Sequence, residues 1–202
     1  MRAVYVIGPS GSGKSTFVSN VLSESGISLG PNRLIHTYTG SRLGKPVPVT
    51  MTGHAMRFGD RYIGEYLGVM RESFPGTDGL TANCGMVATD WALRSSVGSV
   101  LAEGAKLGTR RFLAALSVSF DLMVVSLDAT DEELLRRRAE RESKTTEDNA
   151  LRTAVRSRRL TEELKERGYY VLDVDSSNVN SWNDAIKKAS RWITHSKGAI
   201  AQ

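Results

Sequence analysis

The run Ala3-Val4-Tyr5-Val6-Ile7 leads without interruption into Gly8-Pro9-Ser10-Gly11-Ser12-Gly13-Lys14-Ser15. This is the pattern G-x-x-x-x-G-K-[ST] set directly after an apolar stretch of strand length. Gly11 and Gly13 tolerate positive φ and carry no Cβ, so consecutive backbone N–H groups can curl around an anion. Phe17, Val18, Val21 and Leu22 form one helical face after the loop. A helix beginning at Gly13 therefore points its positive dipole end at the same anion. Strand, glycine loop and helix in this order imply a nucleoside triphosphate site. Gly8, Ser10, Gly11, Ser12, Gly13, Lys14, Ser15 and Thr16 hold the phosphates, Lys14 reaches the β- and γ-phosphates, and Ser15 offers its hydroxyl to Mg²⁺. ATP and Mg²⁺ are the expected cofactors.

At 202 residues, with 40% hydrophobic and 24% charged residues, the chain reads as one globular domain over residues 1–202. No apolar run approaches the length of a membrane span, and Met1-Arg2 leads straight into the first strand rather than into a signal-peptide pattern. The expectation is a cytoplasmic protein without a membrane partner. The single cysteine, Cys84, excludes an internal disulfide, and His36, His54 and His195 lack metal-ligand spacing. The net charge of +5 is concentrated: between Arg136 and Arg159, eight arginines and Lys144 outnumber four carboxylates by five. A solvated helical face is the ordinary reading of such a run, but a polyanionic ligand gives it a partner.

The spacing predicts a first helix from Gly13 to about Ser23, a turn at Gly30-Pro31-Asn32, and a strand from Arg33 to Thr39. Residues 46–67 suggest a small β-rich insertion with a tight turn at Gly59-Asp60, outside the parallel core and over the nucleotide site. Further strands are expected at residues 97–104, 121–128 and 169–174. Helices are expected around Met86–Leu93, at 111–116, from Asp131 behind a Thr130 cap, at 160–167, and around the stripe Trp182, Ile186, Ala189 and Ile193. The fold class is α/β: alternating strands and helices predict a five-stranded parallel sheet with helices on both faces, interrupted by an insertion at about 46–80 and followed by an arginine-rich segment at about 136–159.

In element order the chain resembles the small P-loop kinases of the nucleoside and nucleotide kinase superfamily. The residues that carry the resemblance are the glycine loop, Glu103-Gly104 closing a strand, and Leu127-Asp128-Ala129 followed by Leu134, Leu135 and Arg136-Arg137-Arg138. The resemblance implies a three-layer P-loop NTPase fold in which the arginine-rich segment at about 136–159 is a helical lid whose arginines neutralise the transferring phosphoryl group, with Arg138 and Arg141 foremost and Arg152 and Arg156 behind them. Two residues compete as the metal-side acid. The resemblance favours Glu103, because in this superfamily the neighbour of the P-loop strand carries the acid, whereas the strand ending at Asp128 corresponds to the one that leads into the lid, so Asp128 is expected to order its turn.

Between the second and third strands, where this superfamily binds its acceptor, Asp78 is the best placed acid to orient or deprotonate a hydroxyl. The same Asp, between Gly76 and Gly79, equally suits a backbone-capping role. Thr37-Tyr38-Thr39-Gly40-Ser41-Arg42 is similar to the segment with which guanylate-kinase-like enzymes hold an acceptor phosphate, but lacks their second arginine and adjacent proline. Arg42, Arg57 and Arg61 are expected as anion contacts, and Tyr38, Tyr62 and Tyr66 as stacking platforms for a base. These features point to a kinase acting on a hydroxyl of a nucleoside- or nucleotide-like small molecule. The alternatives are a kinase of 5-hydroxymethylpyrimidine bases within DNA, as in viral P-loop kinases on this scaffold, and a P-loop NTPase switch without an acceptor.

Overall fold

In the computed structural model, residues 1–42, 45–70, 75–140 and 146–195 are described. The chain runs β1 (Arg2–Ile7), α1 (Lys14–Ser25), β2 (Ile27–Arg42), β3 (Lys45–Phe58), β4 (Arg61–Leu67), α2 (Cys84–Arg94), β5 (Ser99–Glu103), α3 (Arg110–Ser119), β6 (Asp121–Asp128), α4 (Asp131–Glu140), α5 (Glu147–Glu166), β7 (Tyr170–Asp175) and α6 (Val179–Thr194). One seven-stranded sheet has the order β2-β3-β4-β5-β1-β6-β7. Strands β4, β5, β1, β6 and β7 run parallel, β3 runs antiparallel to β4, and β2 runs antiparallel to β3.

Alternation along β1 sorts the core into two layers. Ala3, Tyr5 and Ile7 pack with α2 and α3 residues such as Trp91, Phe112 and Leu116. Val4 and Val6 pack on the other face with Phe17, Val18 and Val21 of α1 and Ile186, Ala189 and Ile193 of α6. Strands buried on both faces are largely apolar, as Leu122 to Leu127 of β6 are, with the one polar member, Ser126, hydrogen-bonded to Thr161 at 2.7 Å.

The sheet departs from expectation in three ways. It is mixed and seven-stranded rather than parallel and five-stranded. The strand containing residues 33–39 does not join the parallel set; β4 takes that place beside β5, with Gly64 opposite Ser99 and Leu67 opposite Ala102. The insertion is therefore part of the sheet and not a separate flap. The cause is hydrogen bonding: an open edge of β5 would leave a row of N–H and C=O groups unpaired, and β4, β3 and β2 cover it in succession. Nor does Gly30-Pro31-Asn32 end a strand. The register shifts between Leu29 and Asn32 within one long β2, a bulge that accommodates a proline with no N–H to donate.

The β4–β5 junction leaves no room for a side chain at Gly64, where a Cβ would overlap the backbone carbonyl of Ser99. Gly64→Ala is expected to destabilise the fold by about 3 kcal/mol or more, because rigid backbone and not a movable side chain is in the way. Chemical denaturation measures this, and an unchanged midpoint would mean that β4 does not pair with β5 as described.

Candidate active site

Glu103, Ile7, Asp128 and Asp175 end the parallel strands β5, β1, β6 and β7 at one edge of the sheet. Open α/β sheets bind ligands at that edge, where the loops leaving the strands meet helix N-termini. The loop from Gly8 to Gly13 lies there. Its glycines have φ of 151° at Gly8, 91° at Gly11 and 89° at Gly13. The cradle is closely packed from outside: a Cβ on Gly13 would sit 3.1 Å from the Trp182 ring, and one on Gly11 would sit 3.0 Å from the Leu134 carbonyl and 3.2 Å from Arg138 Cγ. Lys14 Nζ donates to the carbonyls of Gly8 at 3.0 Å and Pro9 at 2.8 Å, which holds its charge across the loop. Ser12 is fully buried, and its hydroxyl finds no partner among the described residues.

Behind the loop, Ser15 Oγ donates to Glu103 Oε1 at 2.7 Å. This contact joins the first turn of α1 to the end of β5 across 88 residues of sequence. Glu103 is 2% exposed. Burial raises its pKa, which the Ser15 hydrogen bond and the Lys14 charge counteract and the Asp78 charge reinforces. A hydroxyl beside a carboxylate is a hard oxygen donor pair of the type Mg²⁺ takes, so these two residues fit the metal that the glycine loop implies. Asp128 is differently engaged. Arg158 Nε donates to its Oδ2 at 2.6 Å, and its Oδ1 accepts the N–H of Ala129 at 2.9 Å, fixing the turn into α4.

Residues 75–80 lie over the end of β5. Gly76, at φ 64°, packs so closely that a Cβ would come within 2.8 Å of Glu103 Cδ. Thr77 is buried, with its Oγ1 3.2 Å from the Tyr5 hydroxyl, which donates to the Gly104 carbonyl at 3.0 Å. Asp78 Oδ1 accepts the N–H groups of Ala105 at 2.8 Å and Lys106 at 2.9 Å, and Lys106 Nζ donates to the Asp78 carbonyl at 2.9 Å. Asp78 thus caps the turn after β5 rather than its own loop, beside Glu103. Sequence reasoning missed Tyr5, Gly76, Thr77 and Lys106, because their roles arise only when the two loops meet. The one available signal was Gly104 directly after a strand-ending acid.

The arginine-rich segment comprises α4 and the first part of α5, with Arg141 outside the described residues. Arg138 is 5% exposed and rests against Gly11. Arg137 donates to Ser176 Oγ at 2.9 Å and to the Ser176 carbonyl at 3.1 Å, tying α4 to the turn before α6. Other members are paired at the surface: Arg136 with Glu133 and Glu140, Arg152 with Asp148, and Arg159 with Glu163. Arg156 lies on the same helix, α5.

Among the remaining sequence candidates, Tyr66 is fully buried in the core and not open to a base, and Tyr62 and Arg57 lie away from the glycine loop. Tyr62 is the second residue of β4 and Arg57 the second-last of β3, both near the Gly59-Asp60 turn at the opposite edge of the parallel strands. Tyr62 donates to Glu65 Oε1 at 2.7 Å, and Arg33 packs over its ring. Arg57 Nη1 donates to the Asp60 carbonyl at 2.9 Å. Tyr38 sits opposite Val49 in the β2–β3 ladder, partly exposed, beyond the level at which β4 ends. Arg42 closes β2, and its side chain lies outside the described residues. Among the described residues, no helix is long and apolar enough to cross a membrane.

A family model described as P-loop Nucleotide Kinase3 matches residues 1–188. No curated protein matches the chain.

Proposed function

The chain belongs to the P-loop nucleotide kinase family, and from that premise we propose that it moves the γ-phosphoryl group of ATP to a hydroxyl of a nucleoside- or nucleotide-like acceptor. The observation that carries this reading is the 2.7 Å contact between Ser15 and the buried Glu103, which sets a buried carboxylate beside the phosphate loop and supports its role as the metal-side acid. Residues Gly8 to Thr16 hold the triphosphate, with Lys14 on its β- and γ-phosphates. Mg²⁺ supplies charge neutralisation at the phosphate oxygens, and Ser15 and Glu103 are the residues that would hold it. Arg138, already against Gly11, neutralises further charge, with Arg141, Arg152 and Arg156 as reserve members of the cluster.

In the transfer, the acceptor oxygen bonds to the γ-phosphorus as the bond from that phosphorus to the β,γ-bridging oxygen breaks. ADP departs with the electron pair. The hydroxyl proton passes to Asp78, whose Oδ1 is committed to two backbone N–H groups and whose other oxygen is assigned this task. Asp78→Asn keeps an acceptor for those N–H groups but not a base. It is expected to lower kcat by about ten- to a hundredfold, with ATP affinity and melting temperature nearly unchanged. Full activity would remove Asp78 from the reaction.

A second reading, a kinase of 5-hydroxymethylpyrimidine bases within DNA, is favoured by one observation. Residues 27–58, the whole of the β2–β3 hairpin, contain no Asp or Glu, and Arg42 and Lys45 form its last cross-strand pair. A long hairpin without carboxylates suits a polyanionic acceptor. ATP turnover measured with nucleosides, nucleotides and hydroxymethyluracil-containing DNA tests both readings. Acceptor-dependent ADP release with phosphoryl transfer is expected. ATP hydrolysis that no acceptor stimulates would identify a switch instead. With DNA as acceptor, KM rises steeply between low and moderate salt as counterion release loses its drive, while a neutral nucleoside shows almost no change.

A further inference from the structure

Tyr66 on β4 pairs with Leu101 on β5, and both side chains lie in the core layer beneath α1. Glu103 follows Leu101 by two residues, so alternation puts its side chain on that same face, one step nearer the phosphate loop. Tyr66 is fully buried, and its hydroxyl has no hydrogen-bond partner among the described residues. A buried hydroxyl without a partner is unfavourable, and phenylalanine would fill the same apolar space without that cost.

The surroundings of the phenol narrow what it serves. Burial, then the negative charges of Glu103 and Asp78, raise its pKa and keep it in the neutral form, which donates. The His54 ring lies 6.0 Å away, but its Nδ1 is 2.8 Å from the Gly30 carbonyl and its Nε2 is 3.3 Å from Asn32 Nδ2. Asp78 Oδ1 already takes two backbone N–H groups. Glu103 is held by Ser15 and balanced by Lys14, the two residues assigned to metal and phosphates. When these turn to the nucleotide, the carboxylate needs another donor.

We infer that Tyr66 is a positioning residue for Glu103: its hydroxyl, directly or through one water, holds the carboxylate in its metal-facing orientation once Ser15 and Lys14 are engaged by nucleotide. This rests on the reading of Glu103 as the metal-side acid. The test is Tyr66→Phe in the full chain, with thermal unfolding of the unliganded protein and calorimetric titration of a non-hydrolysable ATP analogue with and without Mg²⁺. The melting temperature is expected to stay the same or rise, and the metal-free Kd to stay within twofold. The gain in affinity that Mg²⁺ brings is expected to fall about tenfold, the size of one hydrogen bond to a charged group.

A Mg²⁺ gain equal to wild type overturns the inference. So does a lower melting temperature with a parallel loss of metal-free affinity, which marks Tyr66 as a packing residue only. Glu103→Gln, titrated alongside, separates the two ideas. Loss of the gain in Glu103→Gln but not in Tyr66→Phe overturns the Tyr66 inference alone. A full gain in Glu103→Gln overturns the metal-side reading and this inference with it.

Discussion

Lys14→Ala is expected to lower kcat by about 10²- to 10³-fold, the scale on which removing one preorganised contact to developing charge acts. The side chain contributes to none of the apolar core clusters, and its amine donates to the loop carbonyls of Gly8 and Pro9. The loop is also held by other bonds: Ser12 N–H donates to the Pro9 carbonyl at 3.3 Å, and Phe17 N–H to the Gly13 carbonyl at 2.8 Å. The fold should therefore persist, with an unchanged far-UV circular dichroism spectrum. Two effects combine in the variant. The β- and γ-phosphates lose a cation, and Glu103 loses the charge that offsets its burial. Single-turnover transfer separates slow chemistry from weak binding. Turnover within a few-fold of wild type would contradict the kinase reading, because no other residue of the loop carries a positive charge.

The parts of this site that are readable in the chain are those whose partners are neighbours in sequence. The glycine loop, its lysine and the helix behind it follow one another within residues 8–25, so spacing alone places them. The pairing of arginines with carboxylates in α4 is also local, since Glu133 stands three and four residues before Arg136 and Arg137. Glu103 was legible as the acid ending a strand, but its bond to Ser15 was not. Gly76 and Gly104 carry φ of 64° and 121° because a loop and a strand end cross there. That crossing is tertiary and leaves only two ordinary glycines in the sequence. The sheet was misread for a related reason. The pattern of β2 to β4 identifies strands and a turn, yet which edge they join depends on the unpaired backbone of β5, and backbone hydrogen-bonding capacity is the same for every non-proline residue. Tyr62 and Arg57 were drawn to the site by residue type, whereas the β4 register carries them to the other end of the sheet.

Glu103→Gln is the sharper probe of where the metal sits. The amide has the same shape and can still accept from Ser15, so packing beneath Gly76 should be retained. What changes is charge. Mg²⁺ held by hard oxygen donors favours a carboxylate over an amide, and the low dielectric around a side chain 2% exposed enlarges the difference. A loss in kcat of about 10²-fold or more is expected, partly recovered at high Mg²⁺ concentration, with the melting temperature unchanged or raised because a buried charge has been removed. Asp128→Asn supplies the contrast. Its carboxylate is paired with Arg158, and both side chains are more than one third exposed. The expected loss is about 1 kcal/mol of stability at most, with kcat within about threefold of wild type. The opposite pattern, a silent Glu103→Gln and an inactive Asp128→Asn, would move the metal from the end of β5 to the end of β6. Arg158 would then have to release Asp128 before nucleotide binds, and Arg158→Ala would raise activity rather than lower it.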